Sequence, residues 1–187
     1  MNAPGRPHPT LAPALLLSMP QLVDPNFART VVLLCEHGAE GAFGLVLNRP
    51  SDATAAEAVN LVPPPSHDTG VRLWVGGPVE PERGWILLAD DPDDAEAVRV
   101  ADQLYLSTSP ALLRRLIEQG GGRSRVLTGY AGWGPGQLDE ELAASAWPTS
   151  EVELDLIFDT SPEQMWEAAI RRLGADPARL QVGQGVH

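Results

Sequence analysis

Two apolar runs near the start of the chain predict a β-hairpin. Val31–Glu36 and Phe43–Asn48 are nearly continuous in apolar residues, and the connector His37–Gly41 between them contains two glycines. β-branched side chains favour strands, and a short glycine-bearing connector is typical of a hairpin. Because neither run alternates with polar residues, we expect both faces of this part of the sheet to be covered.

Further short apolar runs predict the rest of a sheet. They are Val71–Val75, Trp85–Leu88, Val98–Val100 with Leu104–Leu106, Ser124–Thr128 and Glu153–Phe158. The predicted strands come in consecutive groups rather than in regular alternation with helices, and the chain contains no internal repeat. This order favours an α+β protein with a mixed sheet.

Two helices are indicated by the residues at their ends. Ser109 and Pro110 are typical of an N-cap and a first helical position. Ser161 and Pro162 repeat this arrangement, and Gln164 is placed to complete a capping box. Apolar residues recur at helical spacing after each serine, and glycine ends each pattern. The predicted helices cover residues 109–120 and 161–174.

Two further segments predict shorter helices. Ala53–Leu61 is rich in alanine, and Pro63–Pro65 ends any helix there because proline cannot continue the backbone hydrogen bonding. Gln137–Trp147 begins directly after a glycine-rich segment. Residues 1–13 contain four prolines and no periodic apolar pattern, so we expect a flexible tail followed by one domain over residues 14–187.

The charge of the chain narrows its possible partners. Its 187 residues include 13 arginines and no lysine, and the net charge is −12. The absence of lysine excludes Schiff-base chemistry and a phosphate-binding P-loop lysine. Duplex binding needs clustered cations, so direct DNA binding is disfavoured.

One window, Arg114–Arg125, carries four arginines and one glutamate. It is either an anion or nucleic-acid site or a solvated helix face with its loop.

A single cysteine, Cys35, suits a reducing compartment. The apolar stretch Leu11–Met19 is short, contains a proline and lacks a cleavage pattern, and no run is long enough to span a membrane. We therefore expect a cytoplasmic protein that does not enter a membrane.

The four histidines do not occur at zinc-ligand spacing, and the acidic stretch Asp90–Glu96 lacks the pattern of a calcium loop, so neither a metal site nor a cofactor is expected.

Cys35 and His37 are the candidate nucleophile and base for catalysis. Two residues apart on a strand, their side chains are expected to share a face. Their Cβ atoms would then be roughly 6–7 Å apart, which is a loose arrangement for the thiol–imidazole hydrogen bond that nucleophile activation needs. The alternative is a buried structural cysteine, because this thiol follows four aliphatic residues.

Two glycine-rich segments are candidates for close backbone approach. Gly129–Leu138 predicts either a phosphate cradle at a helix N-terminus or a tight turn that packs Trp133 against the protein. Gly76–Val79 predicts a constrained turn between two strands. Arg49 and Arg83 could each bind a carboxylate or phosphate bidentately, or form internal ion pairs.

The motifs in this order resemble the bacterial AlgH/YqgE family. They are residues 16–20 (LLSMP), 24–27 (DPNF), 30–37 (TVVLLCEH), 41–50 (GAFGLVLNRP), 76–79 (GGPV) and 129–138 (GYAGWGPGQL), with Trp147, Asp155–Phe158 and Trp166 fitting the C-terminal pattern. The resemblance implies a single compact α+β domain, in which a bent or bifurcated sheet forms a partial barrel flanked by helices. It also implies a bacterial cytosolic protein, and it brings no reaction with it.

The family's motif positions imply a shared surface that could bind a ligand. These positions are Asn48, Arg49, Gly76, Gly77, Pro78, Arg83, Gly84, Trp133, Gly134, Gly136 and Gln137. Packing and backbone geometry offer an explanation for the glycines, the proline and the tryptophan. If the polar members share one cleft, a small-molecule or peptide site is the leading hypothesis.

Three functional hypotheses follow from the sequence. The first is a regulatory or binding protein that acts through contacts with another protein or a small ligand. The second is an enzyme or thiol-based sensor that uses Cys35. The third is a transcriptional regulator, a role attached to some family members, that contacts nucleic acid through Arg114–Arg125.

Overall fold

A computed structural model describes residues 10–20 and 27–182. Residues 1–9 of the predicted tail and most of the motif at residues 24–27 lie outside this part of the chain. The strands are β1 (Ala14–Leu17), β2 (Val31–Gly38), β3 (Gly41–Val46), β4 (Pro50–Thr54), β5 (Arg72–Val75), β6 (Val79–Leu88), β7 (Val98–Ala101), β8 (Leu104–Ser107), β9 (Ser124–Trp133) and β10 (Thr149–Ser150). The helices are α1 (Ala55–Ala58), α2 (Pro110–Gln119), α3 (Gln137–Ala143), α4 (Leu154–Phe158), α5 (Pro162–Arg172) and α6 (Pro177–Val182).

The strands form one curled sheet, a half-barrel, in the order β10-β1-β2-β3-β9-β6-β8-β7. All pairs along this path are antiparallel. β5 instead runs parallel to β9 and also pairs with β4. The predicted α+β class with a mixed, bent sheet is therefore confirmed.

The long strand β9 is where the sheet forks. Its first part pairs with β5 and β6, and its last part pairs with β3. The pairing of β6 with β9 is irregular, since Val79 lies opposite Tyr130 while Gly84 lies opposite Thr128. Five positions on β6 thus correspond to two on β9, so Glu80–Arg83 loops out of the ladder. We call these four residues the excursion.

The predicted hairpin of β2 and β3 is confirmed, and both of its faces are buried. Val31 and Leu33 pack on one side with Trp166 of α5, while Val32 and Leu34 pack on the other with Trp147. These residues are fully or almost fully buried. The nearly continuous apolar run in the sequence reflects this two-sided coverage.

The end signals of α2 are confirmed, whereas the capping box predicted for α5 is absent. Ser109 accepts a hydrogen bond from the backbone N–H of Leu112, at 3.2 Å. Ser161 is the N-cap of α5 but makes no side-chain cap hydrogen bond. A capping box occurs instead at α1, where Thr54 and Glu57 bond reciprocally to each other's backbone.

Three predicted elements differ from the structure. Glu153–Phe158 was predicted as a strand, but residues 154–158 form the helix α4. Its two buried residues, Leu156 and Ile157, are adjacent, so a run this short has no period that separates strand from helix. Helices α1 and α3 exist but are shorter than Ala53–Leu61 and Gln137–Trp147, because Thr54 ends β4 and the chain turns after Ala143 to place Trp147 in the core.

Candidate ligand-binding site

A cavity of about 650 Å³, here called the barrel cavity, lies where β2 and β3 face the edge formed by β6, β7 and β8. Its apolar lining comprises Cys35, Phe43, Trp85, Val98, Val100, Leu106 and Tyr130. Its polar lining comprises Glu36, Arg83, Glu96, Arg99, Ser107 and Thr108. Residues Ala12 and Pro13, which precede β1, also contribute to the wall. A cavity of this size and mixed lining is in the range that holds small organic ligands.

Three aromatic rings form a cluster at the wall of the barrel cavity. The ring centroids of Phe43 and Trp85 are 4.9 Å apart, and those of Phe43 and Tyr130 are 5.2 Å apart. Trp85 and Tyr130 meet edge to face at 6.1 Å. The rings come from β3, β6 and β9, so the rigid sheet holds them in place. Planar aromatic walls favour a flat apolar body in the cavity.

Arg83 from the excursion is the cation best placed at this cavity. Its guanidinium carbon lies 4.7 Å from the ring centroid of Trp85. Its ion pair with Glu80 is loose, at 3.6 Å, and the side chain is 53% exposed. Glu80 also accepts a hydrogen bond from Tyr130, which raises the pKa of this phenol. The guanidinium lies over the Trp85 ring, and the loose ion pair with Glu80 leaves several of its five N–H donors available.

The thiol of Cys35 lies in apolar surroundings at the same cavity. It donates a long hydrogen bond of 3.6 Å to the carbonyl oxygen of Leu33. Burial is the main cause that raises the pKa of Cys35 to about 12, and the nearby carboxylate of Glu36 adds to the effect. The thiol is therefore protonated at neutral pH, which makes it a poor nucleophile.

The expectation that Cys35 and His37 share a face is wrong. The β2–β3 register shifts between Leu34 and Glu36, so Cys35 is the extra residue of a β-bulge. Cys35 packs on the face of β2 that carries Leu33, whereas His37 pairs with Ala42, which packs on the opposite face.

His37 is committed to other partners. Its Nδ1 accepts from the backbone N–H of Leu11 at 3.1 Å, and its Nε2 lies 3.0 Å from a carboxylate oxygen of Asp139 in α3. With Nδ1 as acceptor, the proton is assigned to Nε2. The imidazole thus joins the segment before β1 to α3.

Asn48 and Arg49, two of the candidate ligand residues, hold the segment that leads into β2. The amide oxygen of Asn48 accepts from the backbone N–H of Val31 at 3.1 Å, and its amide nitrogen donates to the carbonyl of Arg29 at 3.0 Å. Arg49 donates to the carbonyl of Ala28 at 2.8 Å. Neither lines the barrel cavity.

Gly76, Gly77 and Pro78 form the turn between β5 and β6, as the sequence predicted. The backbone of Gly76 joins two strands, since its N–H donates to Thr128 and its carbonyl accepts from Val46, both at 2.7 Å. A Cβ at Gly77 would lie 2.1 Å from the carbonyl carbon of Tyr130. These glycines are explained by close backbone packing at the fork of the sheet.

Trp133, Gly134, Gly136 and Gln137 surround the start of α3, away from the barrel cavity. The amide oxygen of Gln137 accepts from the backbone N–H of Gly134 at 3.1 Å. Gly136, with φ +75°, is the N-cap of the helix. The predicted tight turn is therefore present over residues 134–136, and Gly129–Trp133 continues the strand β9.

Sequence reasoning missed Glu141, which organises this region. One of its carboxylate oxygens accepts from the indole nitrogens of Trp133 and Trp147, at 2.7 and 2.9 Å. Its other oxygen accepts from Gln137 at 3.4 Å. The sequence carried a signal, since two tryptophans that become buried need acceptors for their N–H groups, but nothing in it paired them with this glutamate.

The four arginines of the 114–125 window all have intramolecular partners. Arg114 donates to the carbonyl of Pro63 at 2.6 Å, and Arg115 donates to that of Pro92 at 3.0 Å. Arg123 pairs with Asp159. Arg125 donates to the carbonyl of Ile157 at 3.0 Å, near the C-terminus of α4, and its guanidinium lies 4.3 Å from the ring of Trp74. Burial lowers the pKa of Arg125.

A second cavity, here called the helix cavity, lies between α1, the start of α2 and strands β6 and β9. Its volume is about 520 Å³. It shares Trp85 and Thr108 with the barrel cavity, and Pro81, Glu82 and Gly84 line it from the excursion and its end. Of the candidate residues, Arg83 thus lines one cavity and Gly84 the other.

Neither a metal-binding cluster nor a membrane-spanning helix is present among the residues that the structure describes. No group of three or more histidine, cysteine, aspartate or glutamate side chains is arranged to hold a metal ion. No helix within residues 10–20 and 27–182 combines the length and apolar character needed to cross a membrane.

The fold and the barrel cavity define an α+β half-barrel protein with a ligand-sized cavity on its curled sheet. Comparison with known proteins identifies the group. The family model described as AlgH-like matches residues 15–178, and the chain belongs to this family. The resemblance inferred from the sequence motifs is confirmed.

Individual relatives support this assignment. The chain is 40% identical over 184 residues to a UPF0301 protein of Myxococcus xanthus, covering 95% of this chain and 98% of that protein. It is 44% identical over 187 residues to a UPF0301 protein of an Anaeromyxobacter species, covering 94% of each.

Two solved structures are similar in fold. The solution structure of the AlgH protein from Pseudomonas aeruginosa is 34% identical, with a TM-score of 0.74, and the match covers 100% of this chain and 99% of that chain. A crystal structure of a Corynebacterium diphtheriae protein has a TM-score of 0.70 at 22% identity, covering 97% of this chain and 93% of that one.

Proposed function

We propose that this protein is a regulatory or binding protein that takes up a small organic anion with a flat apolar body in the barrel cavity. The observation that carries the proposal is the guanidinium of Arg83, which is stacked on Trp85 at an aromatic-walled cavity of about 650 Å³. The rings would bury the apolar body, and Arg83 would bind the carboxylate bidentately.

The charges around the cavity favour a singly charged anion. Arg99 also lines it, but it already pairs with Asp102 at 2.8 Å, whereas the pair of Arg83 with Glu80 is longer, at 3.6 Å. Arg83 is therefore the cation with more capacity for a ligand. Glu36 and Glu96 lie on the same lining and would repel a multiply charged anion. A carboxylate is thus a better match than a phosphate.

The state of the thiol supports binding rather than catalysis or thiol-based sensing. With its pKa raised to about 12, Cys35 carries almost no thiolate at neutral pH. The bulge directs His37 to the opposite face of β2, so the imidazole is not beside the thiol as a base. A cytoplasmic location is part of this proposal, because a single thiol with no second cysteine suits a reducing compartment.

The arginine contacts disfavour the third hypothesis, nucleic-acid binding. Arg123 is paired with Asp159, and Arg125 is directed to carbonyl groups near the end of α4. Cations engaged in this way release few counterions from a duplex, and the net charge of −12 opposes association.

The test is a titration of the protein with 2-naphthoate and, in parallel, with the uncharged 2-naphthamide. Binding is followed by ¹H–¹⁵N NMR and by calorimetry. We expect naphthoate to bind and to shift resonances of Phe43 and Tyr130. Because a hydrogen bond to a charged group contributes about 1.5–3 kcal/mol, Arg83→Gln should weaken naphthoate binding about 10- to 100-fold and affect naphthamide little.

Arg179→Gln is the matched control, since this arginine is 89% exposed on α6. It should leave both affinities unchanged, and thermal unfolding should show that both variants are folded. The proposal is wrong if naphthoate does not bind at millimolar concentration. It is also wrong if Arg83→Gln binds naphthoate as tightly as the unaltered protein does.

A further inference from the structure

The helix cavity lies behind Trp85 and differs in chemistry from the barrel cavity. Leu61, Leu73, Ile86, Leu113 and Val126 contribute aliphatic walls from the segment after α1, from the sheet and from α2. Glu82 is the one charged residue among its lining, and no basic side chain takes part. An anion would therefore meet a carboxylate without a compensating cation, which makes its desolvation unfavourable.

Gly84 lines this cavity on its solvent-exposed side. A Cβ at this position would have no atom within 4 Å apart from its own neighbours in the chain. The backbone of Gly84 does not have positive φ, so its conformation does not require glycine. Gly84 is solvent-exposed, so this is open space at the end of the excursion, and a larger side chain could occupy it without strain.

Polar groups at the cavity could orient an uncharged ligand. Thr108, Ser109 and Thr128 bring hydroxyl groups to its lining. The indole nitrogen of Trp85 is buried and has no hydrogen-bond acceptor among the residues that the structure describes. A buried donor without an acceptor is costly, and buried polar groups in proteins are nearly always paired. Because Trp85 forms part of the walls of both cavities, a ligand in either one could bring an acceptor near this N–H.

We propose that the helix cavity is a second binding site, for an uncharged small molecule with a compact apolar body and a hydrogen-bond acceptor. The aliphatic walls, together with the open space beside Gly84, receive the body. The hydroxyl groups, and Trp85 after a small shift of its ring, bind the acceptor. This site does not depend on the anion proposed for the barrel cavity, because the two cavities differ in charge and share only Trp85 and Thr108.

The test uses three probes that share one cage: 2-adamantanone, which is neutral with an acceptor, 1-adamantanecarboxylate and 1-adamantanamine. Binding to the full chain is followed by ¹H–¹⁵N NMR, with the side-chain N–H of Trp85 assigned through Trp85→Phe. We expect the ketone to bind at least about 10-fold more tightly than the carboxylate. The ketone should shift resonances of Leu113 and Thr128 and move the indole N–H of Trp85 downfield.

Gly84→Leu should occupy the open space that the ketone needs and weaken its binding at least about 10-fold, a difference of 1.4 kcal/mol. It should leave 2-naphthoate binding within a factor of about 3, which separates this proposal from that for the barrel cavity. The matched control is Gly38→Leu, where a Cβ also enters open space but lies outside the helix cavity.

Three results would overturn the proposal. The first is the absence of ketone binding up to its solubility limit. The second is a set of resonance shifts that maps to Phe43 and Tyr130 instead of Leu113 and Thr128. The third is unchanged ketone affinity in a folded Gly84→Leu. If Gly84→Leu does not fold, Gly84→Ala takes its place. The resonances that the ketone shifts in the unaltered protein then decide whether it binds in the helix cavity.

Discussion

Replacing Glu141 tests whether one carboxylate organises the region around α3. A single oxygen of Glu141 accepts from the indole N–H groups of Trp133 and Trp147. The two rings meet edge to face at 5.9 Å, and Phe27 contacts both of them. Trp133 is 6% exposed and Trp147 3%, so water has little access to either donor.

The expected loss follows from the number of donors left without an acceptor. A buried donor that loses its partner costs about 1–3 kcal/mol. Glu141→Ala removes the acceptor from two indoles, and Glu141 is itself only half-buried, so water replaces part of the loss. We expect the free energy of unfolding to fall by about 2–4 kcal/mol. Glu141→Gln keeps one oxygen acceptor and should cost about 1 kcal/mol.

Urea unfolding followed by far-UV circular dichroism measures the change, and near-UV circular dichroism reports the packing of the two tryptophans. Glu140→Ala is the matched control, because Glu140 is the neighbouring residue on α3 and is exposed. It should change stability by less than about 0.5 kcal/mol. A Glu141→Ala variant within the same limit of the unaltered protein would refute the assigned role of the carboxylate.

Three further predictions concern the thiol of Cys35, the acidic stretch Asp90–Glu96 and the fork of the sheet at β9. At pH 8, Cys35 should react with a disulfide reagent on the order of 1,000-fold more slowly in the native than in the urea-unfolded protein, because its pKa is raised from 9.0 to about 12. The pKa of Asp94 is lowered, mainly by the backbone N–H of Glu96, so this carboxylate stabilises the fold above its unfolded pKa of 3.8 and loses that effect as the pH falls through the lower native pKa. Asp94→Asn should therefore make stability less dependent on pH below about 4. Gly77→Ala should reduce stability by more than about 3 kcal/mol in urea unfolding, because its Cβ would collide with the backbone of Tyr130.

Each of these predictions has its own control and contrary outcome. Native Cys35 that reacts at the unfolded rate would contradict its burial. Asp52→Asn, at the exposed residue of β4, should leave the acid limb of the stability curve unchanged. A limb for Asp94→Asn identical to that of the unaltered protein would contradict the second prediction. Gly38→Ala enters open space and should be nearly neutral, so equal stabilities of this variant and Gly77→Ala would refute the third.

Local patterns predicted the elements whose signals are contained in a short stretch of sequence. The hairpin of β2 and β3 follows from two apolar runs around a glycine connector, and α2 follows from Ser109 and Pro110 at its start. Features that depend on a distant partner were not predictable in this way. The bulge at Cys35 appears only when β3 pairs with β2, and it reverses the face on which His37 lies.

The candidate ligand residues lie in different parts of the structure for the same reason. Arg83 was singled out from the sequence and lines the barrel cavity, whereas Asn48 and Gln137 bond to nearby backbone groups elsewhere. Residues that share a family motif can serve different parts of the fold, and only tertiary pairing shows which of them meet. Trp85 and Tyr130 reach the same wall from separate strands, a contact that the sequence does not show.

The position of β9 in the sheet has a consequence for how the chain folds during synthesis. β9 pairs with β3, β5 and β6, all of which precede it in the chain. Until residues 124–133 have left the ribosome, these earlier strands expose unpaired edges and cannot complete the half-barrel. Sheets built from such distant pairings form slowly, and exposed edges promote aggregation. We therefore expect nascent chains that end before β9 to depend on chaperones and to gain protease resistance only after this strand emerges.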